Sequence, residues 1–176
     1  MSEAASQGIT DKAQIAYMLA TAQRESSFGT DMTEGWEPGR VDPQKLYDAP
    51  GDPKNLGNHP NPDPNKNYTN GDGYRYRGRG YVQITGLNHY KEWSKLLGVD
   101  LVKNPELAAQ PEYAKQIMVQ GMMQGLFTGH SLSHYVDSSK GLYDFYNARR
   151  VVNGHNRADE IAGNAHAYLR ALDGCE

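Results

Sequence analysis

The sequence predicts a mainly α fold, α+β in class, with one small irregular β element. Three observations carry this. Apolar residues recur at helical spacing from Asp11 to Phe28 and again in four later stretches. Only YVQIT, residues 81–85, shows the alternation of a strand. Residues 29–73 are rich in Gly, Pro, Asn and Asp and poor in apolar side chains, as a long loop region is.

The first helix organises the chain. Ile15, Met18, Leu19 and Ala22 fall on one face, Thr10-Asp11 supplies the N-cap, and Gly29 marks the far end. Glu25 is the next core-facing position after Ala22. Burial and the negative end of the helix dipole both disfavour an ionised carboxylate there, so a raised pKa is expected, as a general acid requires. The plainer alternative is a helix-end Glu paired with Arg24 or facing solvent. Residues 2–8 suit a short helical turn before this helix.

The loop region carries Trp36, Leu46, Tyr47 and Leu56, which can anchor it as an ordered lobe at about 29–73. In YVQIT, Val82 and Ile84 share one face, and Tyr81, Gln83 and Thr85 the other. A helix is expected from Leu87 to Leu97, with Tyr90, Trp93 and Leu97 inward and Gly98 as its stop. Asn104-Pro105 is a turn. Pro111 opens a helix towards Leu126, interrupted by Gly121 and Gly125. A further helix is expected over roughly Ser139 to Val152, and a last one from Arg157 to Leu172, with Asp159 and Glu160 in its first turn as the dipole favours.

At 176 residues the prior is one domain, 1–176. The apolar fraction of 38% is low, but 12 Tyr and 6 Met add buried volume, so a sizeable core is possible. A net charge of −3 leaves no electrostatic footprint for nucleic acid or an anionic membrane. Cys175 stands alone, so no internal disulfide is expected. The start, MSEAASQG, is not a secretory signal, and no apolar run approaches membrane-spanning length.

Several motifs are set aside. Asp63-Pro64-Asn65-Lys66-Asn67 imitates the start of a calcium loop, but Tyr68 and Tyr74 replace the required Gly and Glu. His130 and His134 have helical spacing but neither an intervening Glu nor an evident third ligand. Arg75, Arg77 and Arg79 among tyrosines are better read as partners for carboxylates than as an RNA-binding surface. No metal site and no cofactor are therefore expected.

QRESSFG, LGN, GDGYRYRGRGYVQITGLNHY, GVDLVKNPELA and VVNGHN, in that order, resemble the family 19 glycoside hydrolases. These comprise plant-type chitinases and a branch of phage and bacterial lysozymes, or endolysins. The resemblance runs from about Ile15 to the final helix. It implies a lysozyme-like, two-lobed fold with a cleft between the lobes, and inverting hydrolysis of β-1,4-linked N-acetylated sugars.

By the same resemblance, Glu25 is the general acid. It follows Arg24 where the family commonly has His, which leans towards the lysozyme branch. Glu34 matches the second carboxylate of the phage endolysins, with Glu37 as the competing base. Gln83 and Thr85 match strand residues that bind sugar and help hold the attacking water. Asn153 matches a substrate-contacting Asn, and Tyr81 lies on the same sugar-facing side. Arg77 or Arg79 is implied to orient a catalytic carboxylate.

Inversion needs a base about 6.5–9.5 Å from the acid, with room for a water. Glu25 on a rigid helix end and Glu34 in a polar loop suit that pair, since their environments push their pKa values apart. The expectation is a muramidase that cuts bacterial cell-wall glycan as a monomer, without membrane insertion or nucleic acid. It would be made in the cytoplasm without a signal peptide and would act in the periplasm or wall after release. A chitinase of the same fold and an inactive glycan-binding module are the rivals.

Overall fold

A computed structural model describes residues 8–29, 32–33 and 75–174. The chain divides into two compact units, Met1–Thr30 with Lys115–Glu176, and Asp31–Ala114. The fold is mainly α with a small two-stranded sheet. Nearly all of the loop region expected at 29–73 lies outside the described residues, as does the short turn expected at 2–8.

The first unit is built on helix α1, Lys12–Ser26. Asp11 caps it, accepting from the Ala13 amide at 2.8 Å and the Gln14 amide at 3.4 Å. The same carboxylate accepts the Ser138 amide and hydroxyl, both at 2.7 Å. Burial pushes its pKa up, but the bonds from Ser138, Ala13 and Gln14 outweigh that and hold it below the ordinary range. Ser27, at φ 48, ends the helix and returns its N–H to the carbonyls of Ala22 and Gln23.

The buried arc of α1 is wider than the expected stripe. Ala13, Ala16, Tyr17, Met18, Ala20 and Ala22 are buried, whereas Ile15 and Leu19 are only half-buried. Small residues admit close neighbours on several sides, so the face is set by alanines rather than by the large aliphatics. Two of its buried polar side chains bond within the unit: the Gln14 amide donates to the Val136 carbonyl at 2.9 Å, and Ser26 to the Ala22 carbonyl at 3.0 Å.

Helix α4, Ala158–Asp173, packs along α1, burying Ile161 and Ala165. The two run antiparallel. Lys12 at the start of α1 pairs with Asp173 at the end of α4 (3.6 Å), and Arg24 at the end of α1 with Glu160 at the start of α4 (3.5 Å). Between these, the Tyr168 hydroxyl donates to Gln23 at 2.9 Å.

The helix expected over Ser139–Val152 is not formed. In its place Val136–Asp137 (β1) and Leu142–Tyr143 (β2) pair antiparallel, with Val136 opposite Tyr143. Gly141, at φ 66, takes a backbone conformation that a helix cannot continue through, and Asp137 and Ser139 bond locally instead. Helical geometry is confined to two 3-10 turns, Ser138–Lys140 and Asn147–Val151. Phe145 is buried between these segments, stacked on Tyr17 at 6.1 Å.

In the second unit, α2 spans Leu87–Leu97 as expected, buries Leu87, Tyr90 and Trp93, and stops at Gly98 (φ 68). A 3-10 turn follows at Pro105–Ala109. Helix α3, Pro111–Gln124, runs on into the first unit. Its Gly121 is required because the Phe127 ring fills the space a side chain there would take.

YVQIT is a turn rather than a strand. Arg79 and Ile84 form a single antiparallel bridge, and residues 80–83 turn the chain between them. The alternation survives, since Val82 and Ile84 are buried and Tyr81, Gln83 and Thr85 half-buried, so the pattern reports burial and not a ladder. Gly80 sits at φ 81, and a Cβ there would lie 2.8 Å from the Ala108 carbonyl oxygen.

Candidate active site

Glu25 lies in the last turn of α1, with its side chain 22% exposed. Tyr17, Thr21 and Glu25 follow one another at intervals of four along one face. A carboxylate is thereby carried to the end of a buried row while keeping an opening to solvent. Its partner is Arg149, whose Nη2 lies 2.7 Å from Oε1 and whose side chain is 4% exposed. Arg24, its partner under the plainer alternative, faces Glu160 instead.

Arg149 comes from the 3-10 turn 147–151. Its Nε donates to the Asn156 carbonyl at 3.1 Å, and its Nη1 is buried with no hydrogen-bond partner among the described residues. The Tyr17 hydroxyl is likewise buried without a partner of hydrogen-bond geometry, and Thr21 beside it donates its own hydroxyl to the Tyr17 carbonyl at 3.0 Å. Burial pushes the Tyr17 phenol well above its ordinary value, against the pull of the Arg149 cation. Two polar groups left incomplete beside one carboxylate mark a place where packing is not optimised for stability alone.

Asn153 is exposed, and its position is fixed by the same arginine. Its N–H donates to the Arg149 carbonyl at 3.0 Å, while its side-chain oxygen accepts the Gly154 N–H at 2.8 Å. With the Asn156 carbonyl held by Arg149 Nε, the Asn153–Asn156 loop is tied to Arg149 at both ends. Glu25 and Asn153 thus share one support.

The other expected residues cluster in the second unit around the Gly80–Gln83 turn. Gln83 has φ 53, and its side-chain amide donates to the Gly80 carbonyl at 2.8 Å. A non-glycine residue in this region is held there by its surroundings. The Thr85 hydroxyl donates to the Gln83 carbonyl at 2.9 Å. Tyr81 is half-buried on the same turn.

Arg79 is buried, its Nη1 donating to the Arg75 carbonyl and the Tyr90 hydroxyl, each at 2.8 Å. Tyr90 in turn donates to the Arg77 carbonyl at 2.8 Å. Burial pushes the Tyr90 phenol up to about 12, with Arg79 opposing. Arg79 therefore braces the backbone of residues 75–77. Arg77 is half-buried.

Glu25 and Asn153 are joined in the first unit, and Tyr81, Gln83, Thr85, Arg77 and Arg79 gather in the second. Glu34 and its competitor Glu37 lie outside the described residues, as does the loop beginning at Asp63. Sequence reading missed Arg149 and Tyr17. A signal for the first was available, since ARRVVNG places two cations inside an apolar run directly before the Asn-Gly pair. Among the described residues no group of three or more His, Cys, Asp or Glu side chains is placed to hold a metal ion. His130 meets the Tyr135 hydroxyl at 3.3 Å, and His134 the Ser131 hydroxyl at 2.9 Å.

No protein-family model matches the chain, and no curated protein sequence does. Among solved structures, the chain is similar to the crystal structure of a glutamate-to-glutamine mutant of chitinase C. That match has a TM-score of 0.54 at 16% identity, and covers 92% of this chain and 73% of the other. At this identity the likeness shows the fold, which is chitinase-like.

Proposed function

From that fold and the setting of Glu25, we propose that the chain is a glycoside hydrolase, a muramidase cutting β-1,4 bonds between the N-acetylated amino sugars of bacterial peptidoglycan. The observation that carries this is a solvent-reached glutamate at the end of a buried helix, clamped through one oxygen by a buried arginine, in a chitinase-like fold. Glu25 gives its proton to the leaving glycosidic oxygen as the C–O bond breaks. Glu34 takes a proton from the water that attacks the opposite face of the sugar, giving inversion. Gln83, Thr85, Tyr81 and Asn153 bind sugar. Arg77 orients a carboxylate, and Arg79 braces the 75–77 backbone that carries Arg77. The enzyme works as a monomer on cell-wall glycan without a cofactor.

A second reading, chitin as substrate, is favoured by the name of the similar structure. Mass spectrometry of products from purified peptidoglycan and from chitin separates the two. Reducing-end muropeptides are expected; anhydro-muramyl ends would indicate a lytic transglycosylase, and chito-oligosaccharides alone a chitinase. Glu25→Gln should lower the rate by at least roughly 10²–10⁴-fold, because the amide keeps the shape but has no acid proton to give. A folded Glu25→Gln protein at half the wild-type rate would remove Glu25 from the role.

A further inference from the structure

We propose that Tyr146 and His155 form a stacking platform for a sugar ring of the glycan, a subsite supported by the same short turn that holds Glu25. The inference rests on the glycoside hydrolase reading for the identity of its ligand. The two rings are stacked with centroids 5.4 Å apart and planes 20° from parallel. Tyr146 is 43% exposed, so hiding the pair from water is not what the stack accomplishes.

The His155 ring is fixed at its edge. Its Nε2 either accepts from Arg150 Nε at 3.1 Å or, in the tautomer that carries the proton there, donates to Asn147 Oδ1 at 3.2 Å. Asn147 is itself held, donating to Asp144 at 2.9 Å. A flat aromatic surface kept rigid before any ligand arrives spares the ordering cost that weakens binding by loose side chains.

The rim matches a carbohydrate. A pyranose ring offers an apolar C–H face to stack, and hydroxyl and acetamido groups at its edge. The exposed Arg150, and Asn147 on the same ring nitrogen, supply donors and acceptors at the edge of the platform. The connection to Glu25 is short. Arg149 and Arg150 are consecutive; the first is buried against Glu25, while the second is exposed and holds His155. Arg149 Nε also anchors the Asn156 carbonyl, one residue beyond His155. A ring stacked here sits on the same support as the proposed acid.

The test uses the Glu25→Gln protein, so that the polymer is not consumed, and measures its retention on insoluble peptidoglycan and on chitin over a range of concentrations. Adding Tyr146→Ala should weaken the apparent affinity about 3- to 10-fold, the usual worth of one aromatic contact. Tyr146→Phe should stay within about twofold of the parent. Tyr143→Ala, equally exposed but off the platform, should leave retention unchanged.

Retention unaltered by both Tyr146→Ala and His155→Ala would overturn the proposal. A second readout does not depend on a variant's folding: the His155 ring-proton resonances should shift on titrating an N-acetylglucosamine tetramer into the Glu25→Gln protein. Resonances that stay in place under saturating sugar would also overturn it. The two readings fail separately. If wild-type protein releases no product but Tyr146→Ala still weakens retention, the hydrolase reading falls and the platform stands. Product release with retention unimpaired by Tyr146→Ala and by His155→Ala removes the platform alone.

Discussion

Arg149 holds a carboxylate with one nitrogen and a loop carbonyl with another, so its replacement separates positioning from charge. Arg149→Lys keeps the cation but cannot reach both Glu25 and the Asn156 carbonyl. The expected outcome is a fall in kcat with KM little changed, in a protein that still melts cooperatively. Arg149→Met leaves the carboxylate without its partner and should cost about 3 kcal/mol, the low end for a broken buried pair because Glu25 keeps some contact with water. Gln83 offers the opposite separation. At φ 53 it carries strain that glycine would not, offset by the bond from its amide to the Gly80 carbonyl. Gln83→Gly should therefore change stability by less than about 1 kcal/mol. Activity should drop sharply if the amide binds sugar. A fully active Gln83→Gly enzyme would make that residue a turn component only.

At the level of elements, those with strong local signals were readable and those defined by distant partners were not. The helices Leu87–Leu97 and Ala158–Asp173 end within a residue of their expected limits, because Gly98 stops the first and the apolar spacing of the second is regular. The β1–β2 hairpin was hidden, since two-residue strands have no periodicity to detect and Leu142, Phe145 and Val152 mimic a helical stripe. Glu25 was legible as a polar intruder on an apolar face; Arg149 was not, since nothing local connects it to α1. The start of α1 gives a pH prediction. Asp11 is held below its ordinary pKa, so it contributes stability above the unfolded-state carboxylate range and loses it as the pH falls through its folded value. Asp11→Ala should cost about 1 kcal/mol at neutral pH for the cap, with more from the two bonds to Ser138. Asp11→Asn keeps an acceptor at the cap but has nothing to titrate. Denaturant unfolding should thus show the gap between wild type and Asp11→Asn narrowing as the solution is acidified; a gap independent of pH would mean the charge contributes nothing.

For the molecule as a whole, the chain order has a consequence that no single helix shows. The unit carrying Glu25 is assembled from the first residues and the last sixty or so, with Asp31–Ala114 intervening between them. Its central contact, α1 against α4, joins segments far apart in sequence, so closure of a long loop precedes any gain from packing them. α1 alone is poorly suited to standing free: its buried face is made of alanines, which hide little area each, and of polar groups whose partners lie elsewhere. What α4 adds is Ile161 and Ala165 in the core, the Tyr168–Gln23 bond, the His166 edge against Phe145 at 4.8 Å, and ion pairs at both ends of α1. The surface pairs are each worth little, so the loss of α4 is mainly a loss of packing. A chain ending at Asn156 should therefore lose more than one helix. Far-UV circular dichroism should fall by more than the share due to residues 158–173, the cooperative melt should disappear, and lytic activity with it, although every residue proposed to touch substrate is retained. A truncated protein with a sharp thermal transition and measurable hydrolysis would show that α1 and Glu25 are held in place without α4.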